Sequence, residues 1–132
     1  VSLVFVDTAY FVALLNPDDS YHSRTLESFN ESSRRLVTTE FVLLELGNYF
    51  SRRSNRHLVR PFWRSLLDEE TATVVPVSVP LLERALDLYH ARQDKEWSLV
   101  DCTSFIIMED LGIHEVLTTD QHFEQAGFTR VL

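Results

Sequence analysis

The chain is short of the residues that most often staple or arm a small protein. Its one cysteine, Cys102, excludes an intramolecular disulfide and any cysteine-rich zinc site. Set beside Asp101 in apolar company, that thiol reads as core filler rather than as a nucleophile. His22, His57, His90, His114 and His122 show no ligand spacing, are expected mostly on surfaces, and give zinc no support. Lys95 is the only lysine, and a net charge of −8 argues against indiscriminate affinity for nucleic acid. There is no internal repeat and no low-complexity tract. Residues 1–15 form the only long apolar stretch near the start, but Asp7 interrupts it and neither a basic leader nor a cleavage site accompanies it. Neither a signal peptide nor a membrane span is therefore expected, and the cytoplasm is the default compartment.

What is present fits one folded unit. A hydrophobic content of 45% against 24% charge in 132 residues is that of a globular chain able to bury a real core, so 1–132 is expected to be a single domain. Residues 2–6 read as a buried strand, 8–15 as a short helix closed by Asn16-Pro17-Asp18-Asp19, and 20–31 as a helix with Tyr21, Thr25 and Phe29 at fourfold spacing. Residues 36–38 form a short strand, after which Thr38 and Thr39 can cap a helix carrying Phe41, Leu44, Glu45 and Tyr49. A helix with Leu58, Phe62 and Leu66 on one side precedes a β-branched strand over 71–77. Pro80 then sits near the first turn of a helix expected to turn Leu82, Ala85, Leu86 and Tyr89 inward. Ser98 can cap a helix that runs to about residue 111 and ends at Gly112, followed by a strand over 115–118, a short helix over 121–126 and a last strand over 128–132. Such alternation predicts an α/β domain with a mostly parallel sheet and helices on its faces.

Four carboxylates sit where carboxylates are usually excluded. Asp7 ends an apolar strand, Glu45 lies in Phe41-Val42-Leu43-Leu44-Glu45-Leu46, Asp101 follows Leu99-Val100, and Asp120 follows Val116-Leu117-Thr118-Thr119. Taken singly, each reads as well as a strand end or a helix cap. Taken together, they need a partner, because an unpaired buried carboxylate is driven towards its neutral form. None of the eleven arginines lies within five residues of Asp7, Asp101 or Asp120, so a bound cation is the natural partner. Carboxylate and water oxygens suit the hard ions Mg²⁺ and Mn²⁺. In a parallel sheet the carboxyl ends of the strands share one edge, where helices also begin, so the four acids can converge there. Asp101 falls in the first turn of its helix, where the dipole is expected to lower its pKa. Glu40, five residues before Glu45, is expected on a different helix face.

The positive charge is concentrated. Arg52, Arg53, Arg56, Arg60, Arg64 and His57 lie between Leu46 and Leu67 with no acid among them. Spacing by four would stack Arg52, Arg56, Arg60 and Arg64 on one helical face, although Pro61 is expected to break or start a helix there. The segment reads either as a solvated face or, beside a metal site, as a track for a phosphate backbone. Trp63 reads as a core residue with Leu58, Phe62 and Leu66 in preference to a base-stacking one.

Four blocks then carry a resemblance. Val6-Asp7-Thr8-Ala9-Tyr10, Thr38-Thr39-Glu40-Phe41-Val42-Leu43-Leu44-Glu45, Trp97-Ser98-Leu99-Val100-Asp101-Cys102-Thr103-Ser104-Phe105, and the run from Leu117 through Asp120-Gln121-His122-Phe123 to Ala126-Gly127-Phe128 together resemble a PIN domain. Their order and spacing are similar to those of the VapC-like toxins of toxin–antitoxin modules, over essentially the whole chain. The resemblance implies a PIN-like three-layer α/β sandwich and a Mg²⁺- or Mn²⁺-dependent ribonuclease acting through Asp7, Glu45, Asp101 and Asp120. It implies supporting roles for Thr8 and Ser104, an RNA substrate, a small antitoxin whose tail crosses the acidic site, and a homodimer. Phosphodiester hydrolysis needs an activated water and a stabilised leaving oxygen, so Asp7, Asp101 and Asp120 are expected as ligands of one ion or two, with Glu45 as ligand or base. Arg52, Arg53 and Arg56 are the expected RNA contacts. A phosphoaspartyl phosphatase would want an acid where Ala9 stands, and a receiver domain would want a strand-end lysine where Lys95 lies in a loop. An RNA-processing nuclease or a non-catalytic RNA-binding or assembly module of PIN type stays open.

Overall fold

The computed structural model describes residues 2–31, 33–68, 70 and 72–132. The first residues of the expected 71–77 strand and of the 1–15 apolar stretch lie outside that set. The elements run β1 (Leu3–Val6), α1 (Thr8–Leu15), α2 (His22–Glu31), β2 (Arg35–Thr39), α3 (Glu40–Phe50), a 3-10 turn (Ser54–Leu58) and α4 (Val59–Asp68). They continue with β3 (Ala72–Val75), α5 (Val79–Ala91), α6 (Leu99–Leu111), β4 (Glu115–Leu117), α7 (His122–Gln125) and β5 (Thr129–Arg130). All five strands are parallel, in the order β3-β2-β1-β4-β5. Val4, Phe5 and Val6 are fully buried in succession, as a strand covered on both faces requires.

Chain direction across this sheet decides where the site can lie. From β1 the chain steps to β2 and β3 on one side, then crosses back to β4 and β5 on the other. Right-handed crossovers put α1 to α4 on one face and α5 to α7 on the opposite face, giving three layers. Packing mostly follows that division: α1 meets α2 and α3, and α3 meets α4, whereas α5 meets α6 and α6 meets α7; α3 and α6, which carry Glu45 and Asp101, also meet. The order reverses between β1 and β4, where Val6 pairs with Leu117, and that reversal opens a crevice at the carboxyl ends of the two strands.

Most elements fall where the sequence pattern puts them, and the departures have physical causes. β3 stops at Val75 because Pro76 has no N–H for the ladder. The arginine stripe does not form: α3 ends at Phe50 and the chain turns before the 3-10 segment, so Arg52, Arg56, Arg60 and Arg64 do not share a helix. Pro61 lies in the first turn of α4, where its missing N–H is no loss. On α5 the buried stripe is Leu81, Ala85 and the half-buried Leu88, whereas Leu86 and Tyr89, expected inward, are exposed. Both stripes satisfy helical spacing, and packing against α6 selects one of them.

Aromatic contacts lock the site-bearing elements together. Phe123 of α7 packs between Phe5 of β1 at 6.4 Å and, edge-on, Phe105 of α6 at 5.0 Å, and Trp97 meets Phe105 at 5.0 Å. Phe11 of α1 meets Phe62 of α4 at 5.2 Å, and Trp63 is buried in the core. Cys102 is fully buried, and burial pushes its thiol up to about 11, which makes it inert. No helix of the described residues is long and apolar enough to cross a membrane.

Candidate active site

The crevice at the strand ends is a cleft of about 650 Å³, and Asp7, Glu45, Asp101 and Asp120 all line it. Asp7 follows β1 and opens α1, with φ −91° and ψ 164°. Its Oδ2 accepts a hydrogen bond from Thr118 Oγ1 at 2.9 Å, and its amide donates to the Leu117 carbonyl at 3.2 Å, so the ends of β1 and β4 are tied through this one residue. Glu45 reaches the cleft from α3 with Tyr49 one turn further on. Asp101 is fixed by a reciprocal cap: its amide donates to Ser98 Oγ at 3.0 Å, and its Oδ2 accepts from the Ser98 amide at 3.1 Å. Asp120 sits in the turn after β4, its amide donating to Thr118 Oγ1 at 3.0 Å and its Oδ1 accepting from the His122 amide at 2.9 Å. Glu40, by contrast, accepts from the Val77 amide at 2.8 Å and takes no part in the cleft.

Burial and mutual repulsion set the electrostatics. Asp7 is only 3% exposed, and its carboxyl is pushed up to about 7, chiefly by desolvation; the Thr118 hydroxyl opposes the rise and the Asp101 charge adds to it. Burial also raises Glu45; the neighbouring Thr8 hydroxyl opposes this, and Asp101 and Asp120 add to it. Thr8 Oγ1 is itself buried and completes no hydrogen bond of ordinary geometry. Asp101 is likewise raised, with burial the largest cause, the Ser98 amide opposing, Asp120 adding, and His122 opposing. The lowering expected from the helix dipole is thus reversed, because desolvation among like charges outweighs a partial charge at a helix end.

A family model described as PIN domain matches residues 4–129. The chain belongs to the PIN-domain family. It is 29% identical, over 98% of both chains, to the 23S rRNA-specific endonuclease VapC20 of Mycobacterium tuberculosis, in strains CDC 1551 and H37Rv alike. The crystal structure of Mycobacterium tuberculosis VapC20, described as a sarcin-ricin loop cleaving toxin, superposes with a TM-score of 0.88 over 98% of each chain. FitAcB from Neisseria gonorrhoeae shares the fold at 14% identity, with a TM-score of 0.68 over 98% of this chain and 96% of that one. PIN domains are nucleases that act on phosphodiester bonds and use divalent metals.

Three features of this PIN domain bear on whether its residues fit such an ion. Asp7 Oδ1, Thr8 Oγ1 and Ser104 Oγ are buried without a hydrogen-bond partner, and buried polar atoms are rarely left so unless something else satisfies them. Ligand atoms of Asp101, Asp120 and His122 lie within 4.8 Å of one another, with Asp7 and Glu45 on the same cleft outside that tight group. The described lining holds no lysine or arginine to neutralise these acids. Oxygen-rich, acidic and uncompensated, the donor set fits a hard divalent cation.

His122 is the residue the sequence pattern missed. Its Nδ1 lies 3.2 Å from Asp101 Oδ2 and 3.4 Å from Asp120 Oδ1, so the imidazole bridges the two carboxylates. The signal was the spacing Asp120-Gln121-His122, in which an Asp at a strand end hydrogen-bonds the amide two residues on and aims that side chain back. The three arginines expected to contact RNA diverge. Arg53 packs over the Tyr49 ring at the edge of the cleft, Arg56 faces a separate groove with Arg60 and Arg64, and Arg52 is exposed in the turn after α3.

Proposed function

We propose that this PIN domain is a Mg²⁺- or Mn²⁺-dependent endoribonuclease and the toxin of a toxin–antitoxin pair, with Asp7, Glu45, Asp101 and Asp120 as its catalytic acids. The observation that carries this reading is the convergence of four acids, with unpartnered buried oxygens on Asp7 and Thr8, on one cleft whose described lining holds no lysine or arginine. Asp7, Asp101 and Asp120 would hold one ion or two, with Thr8 and Ser104 bonding to ligands or bound waters. A bound divalent ion supplies an acidified water and neutralises charge on the phosphodiester. Glu45, whose carboxyl burial has raised, is matched to take the proton from the attacking water. His122 keeps Asp101 and Asp120 oriented and offsets their mutual repulsion.

The substrate follows from the relative. VapC20 is named for 23S rRNA and for the sarcin-ricin loop, so a structured ribosomal RNA loop is the first substrate to assay. Arg53, over the ring of the cleft residue Tyr49, would meet phosphates beside the cleft, with Arg52 and Arg56 further out. The expected restraint is a small antitoxin offering an arginine to the carboxylates, since a guanidinium bridging two of them displaces the metal. A homodimer would cover some of the exposed apolar side chains, of which Leu44, Leu67 and Val79 are the most open. The deciding experiment incubates purified chain with ribosomal RNA and Mg²⁺ or Mn²⁺. Cleavage that EDTA and Asp101→Asn both abolish supports the reading. A folded parent that binds the metal and RNA but cuts neither this loop nor other cellular RNA overturns it in favour of a non-catalytic RNA-binding module.

A further inference from the structure

An acidic cleft repels a phosphate backbone, so the attraction that seats RNA there has to come from the rim. Two tyrosines stand on that rim. Tyr21, in the turn before α2, and Tyr49, on α3, both line the cleft and are 38% and 41% exposed. Thr8 and Ala9 of α1 line the same cleft, and α1 packs against both α2, which follows Tyr21, and α3, which carries Tyr49. Each ring carries a cation. The Arg53 guanidinium lies 4.3 Å from the centre of the Tyr49 ring, and that of Arg24 lies 5.5 Å from the centre of Tyr21.

These pairs are held in place. Arg53 Nε donates to the Tyr49 carbonyl at 2.9 Å, and the Tyr49 ring meets buried Phe50 edge-on at 5.1 Å. Arg24 donates to the Leu132 carbonyl at 3.0 Å, and the Tyr21 amide donates to Asp19 Oδ1 at 2.9 Å. Among the described residues Arg53 has no carboxylate partner, whereas Arg130, which reaches the cleft through the Thr119 carbonyl, is neutralised by Glu124. A large ring left half open at the mouth of a cleft forfeits burial that folding would reward, and the core does not require either one.

We infer that Tyr21 and Tyr49 are base-stacking platforms on the two sides of the scissile phosphodiester, with Arg24 and Arg53 meeting the adjoining phosphates, an inference that rests on the ribonuclease reading of the same cleft. Every base offers a π face to an aromatic ring, and a guanidinium both stacks and pairs with phosphate. Two such platforms demand unstacked bases, so the segment that enters the cleft is single-stranded or a loop rather than a duplex.

The test uses the whole chain and a short single-stranded RNA carrying 2-aminopurine, whose fluorescence falls when it stacks. In EDTA, where binding is read without cleavage, Tyr49→Ala and Tyr21→Ala are expected each to weaken binding roughly tenfold and to lose quenching, while Tyr49→Phe and Tyr21→Phe keep both. With divalent metal the loss falls on KM, with kcat changed less than about threefold. Tyr→Leu at either position keeps bulk without a π face and makes the same comparison if an alanine variant fails to fold. Alanine and leucine variants that bind and quench like the parent overturn the inference, as do phenylalanine variants as impaired as alanine. A parent that binds and quenches RNA with the expected tyrosine dependence but cleaves none overturns the ribonuclease reading and leaves the stacking supported.

Discussion

The carboxyl of Asp7 has one oxygen held by Thr118 and the other buried without a partner, which disfavours its charged form. Below about pH 4 the group is protonated both folded and unfolded, so burial then carries no electrostatic penalty. As the pH climbs towards the folded-state value of about 7, the unfolded chain ionises first and the metal-free fold loses stability, by about 4 kcal/mol once the whole shift from 3.8 is spanned. Asp7→Asn removes this titration. In EDTA its Tm is expected to exceed the parent's at about pH 8, with the gap closing towards about pH 4; a gap that does not vary with pH would show that Asp7 is not carrying the strain. With Mg²⁺ or Mn²⁺ present, Asp7→Asn and Asp101→Asn should each lower RNA cleavage at least about a hundredfold without changing the circular dichroism of the fold. His122→Ala leaves Asp101 and Asp120 facing each other unbridged, so divalent affinity by calorimetry should drop about 10–100-fold. An affinity equal to the parent's would confine His122 to packing.

At the scale of elements, α6 combines stability and site geometry in one cap. Ser98 satisfies the Asp101 amide while the Asp101 carboxylate satisfies the Ser98 amide, so the acid is aimed by the same bonds that start the helix. Ser98→Ala should therefore destabilise the chain by about 1 kcal/mol in urea denaturation and also weaken metal binding. Lost stability with unaltered metal affinity would separate the two roles. The arginine segment makes a second case. Of Arg52, Arg53 and Arg56 only Arg53 touches a residue of the cleft, so Arg53→Ala alone should reproduce most of the loss in RNA affinity and the flattening of its salt dependence seen in the triple alanine variant. Equal contributions from all three would restore the extended track that their sequence spacing suggested.

For the whole molecule, the governing fact is the reversal of strand order between β1 and β4, which brings Asp7 within bonding distance of Thr118, 111 residues away. One acidic crevice follows from that topology, and a toxin built on it is expected to be silenced by a partner that fills the crevice. Co-expressed with a small reading frame adjoining its gene that encodes such a partner, the chain should co-purify with it, and the complex should bind Mn²⁺ more weakly than the free chain because both compete for the same carboxylates. A chain that neither slows growth nor cleaves RNA when expressed alone, and that retains no partner, would end the toxin reading while leaving the PIN fold untouched.

Much of this was written in local sequence. Asp7 and Asp120 stand at the ends of apolar runs, Ser98 and Asp101 form a cap across three residues, Gly112 ends α6 with φ of 66°, and Pro61 and Pro80 start helices; each depends on near neighbours alone, so each was legible. The four family blocks, read in order, carried the fold and the acidic quartet. Packing decided the rest. Which of two plausible stripes α5 buries, where the arginines turn apart after Phe50, and that His122 meets Asp101 as well as Asp120 depend on elements distant in sequence. The raised carboxyl of Asp101 makes the same point: a helix start predicts lowering, but desolvation and the charge of Asp120 arise only when the sheet has brought α6 and the end of β4 together, and at that range they outweigh the dipole.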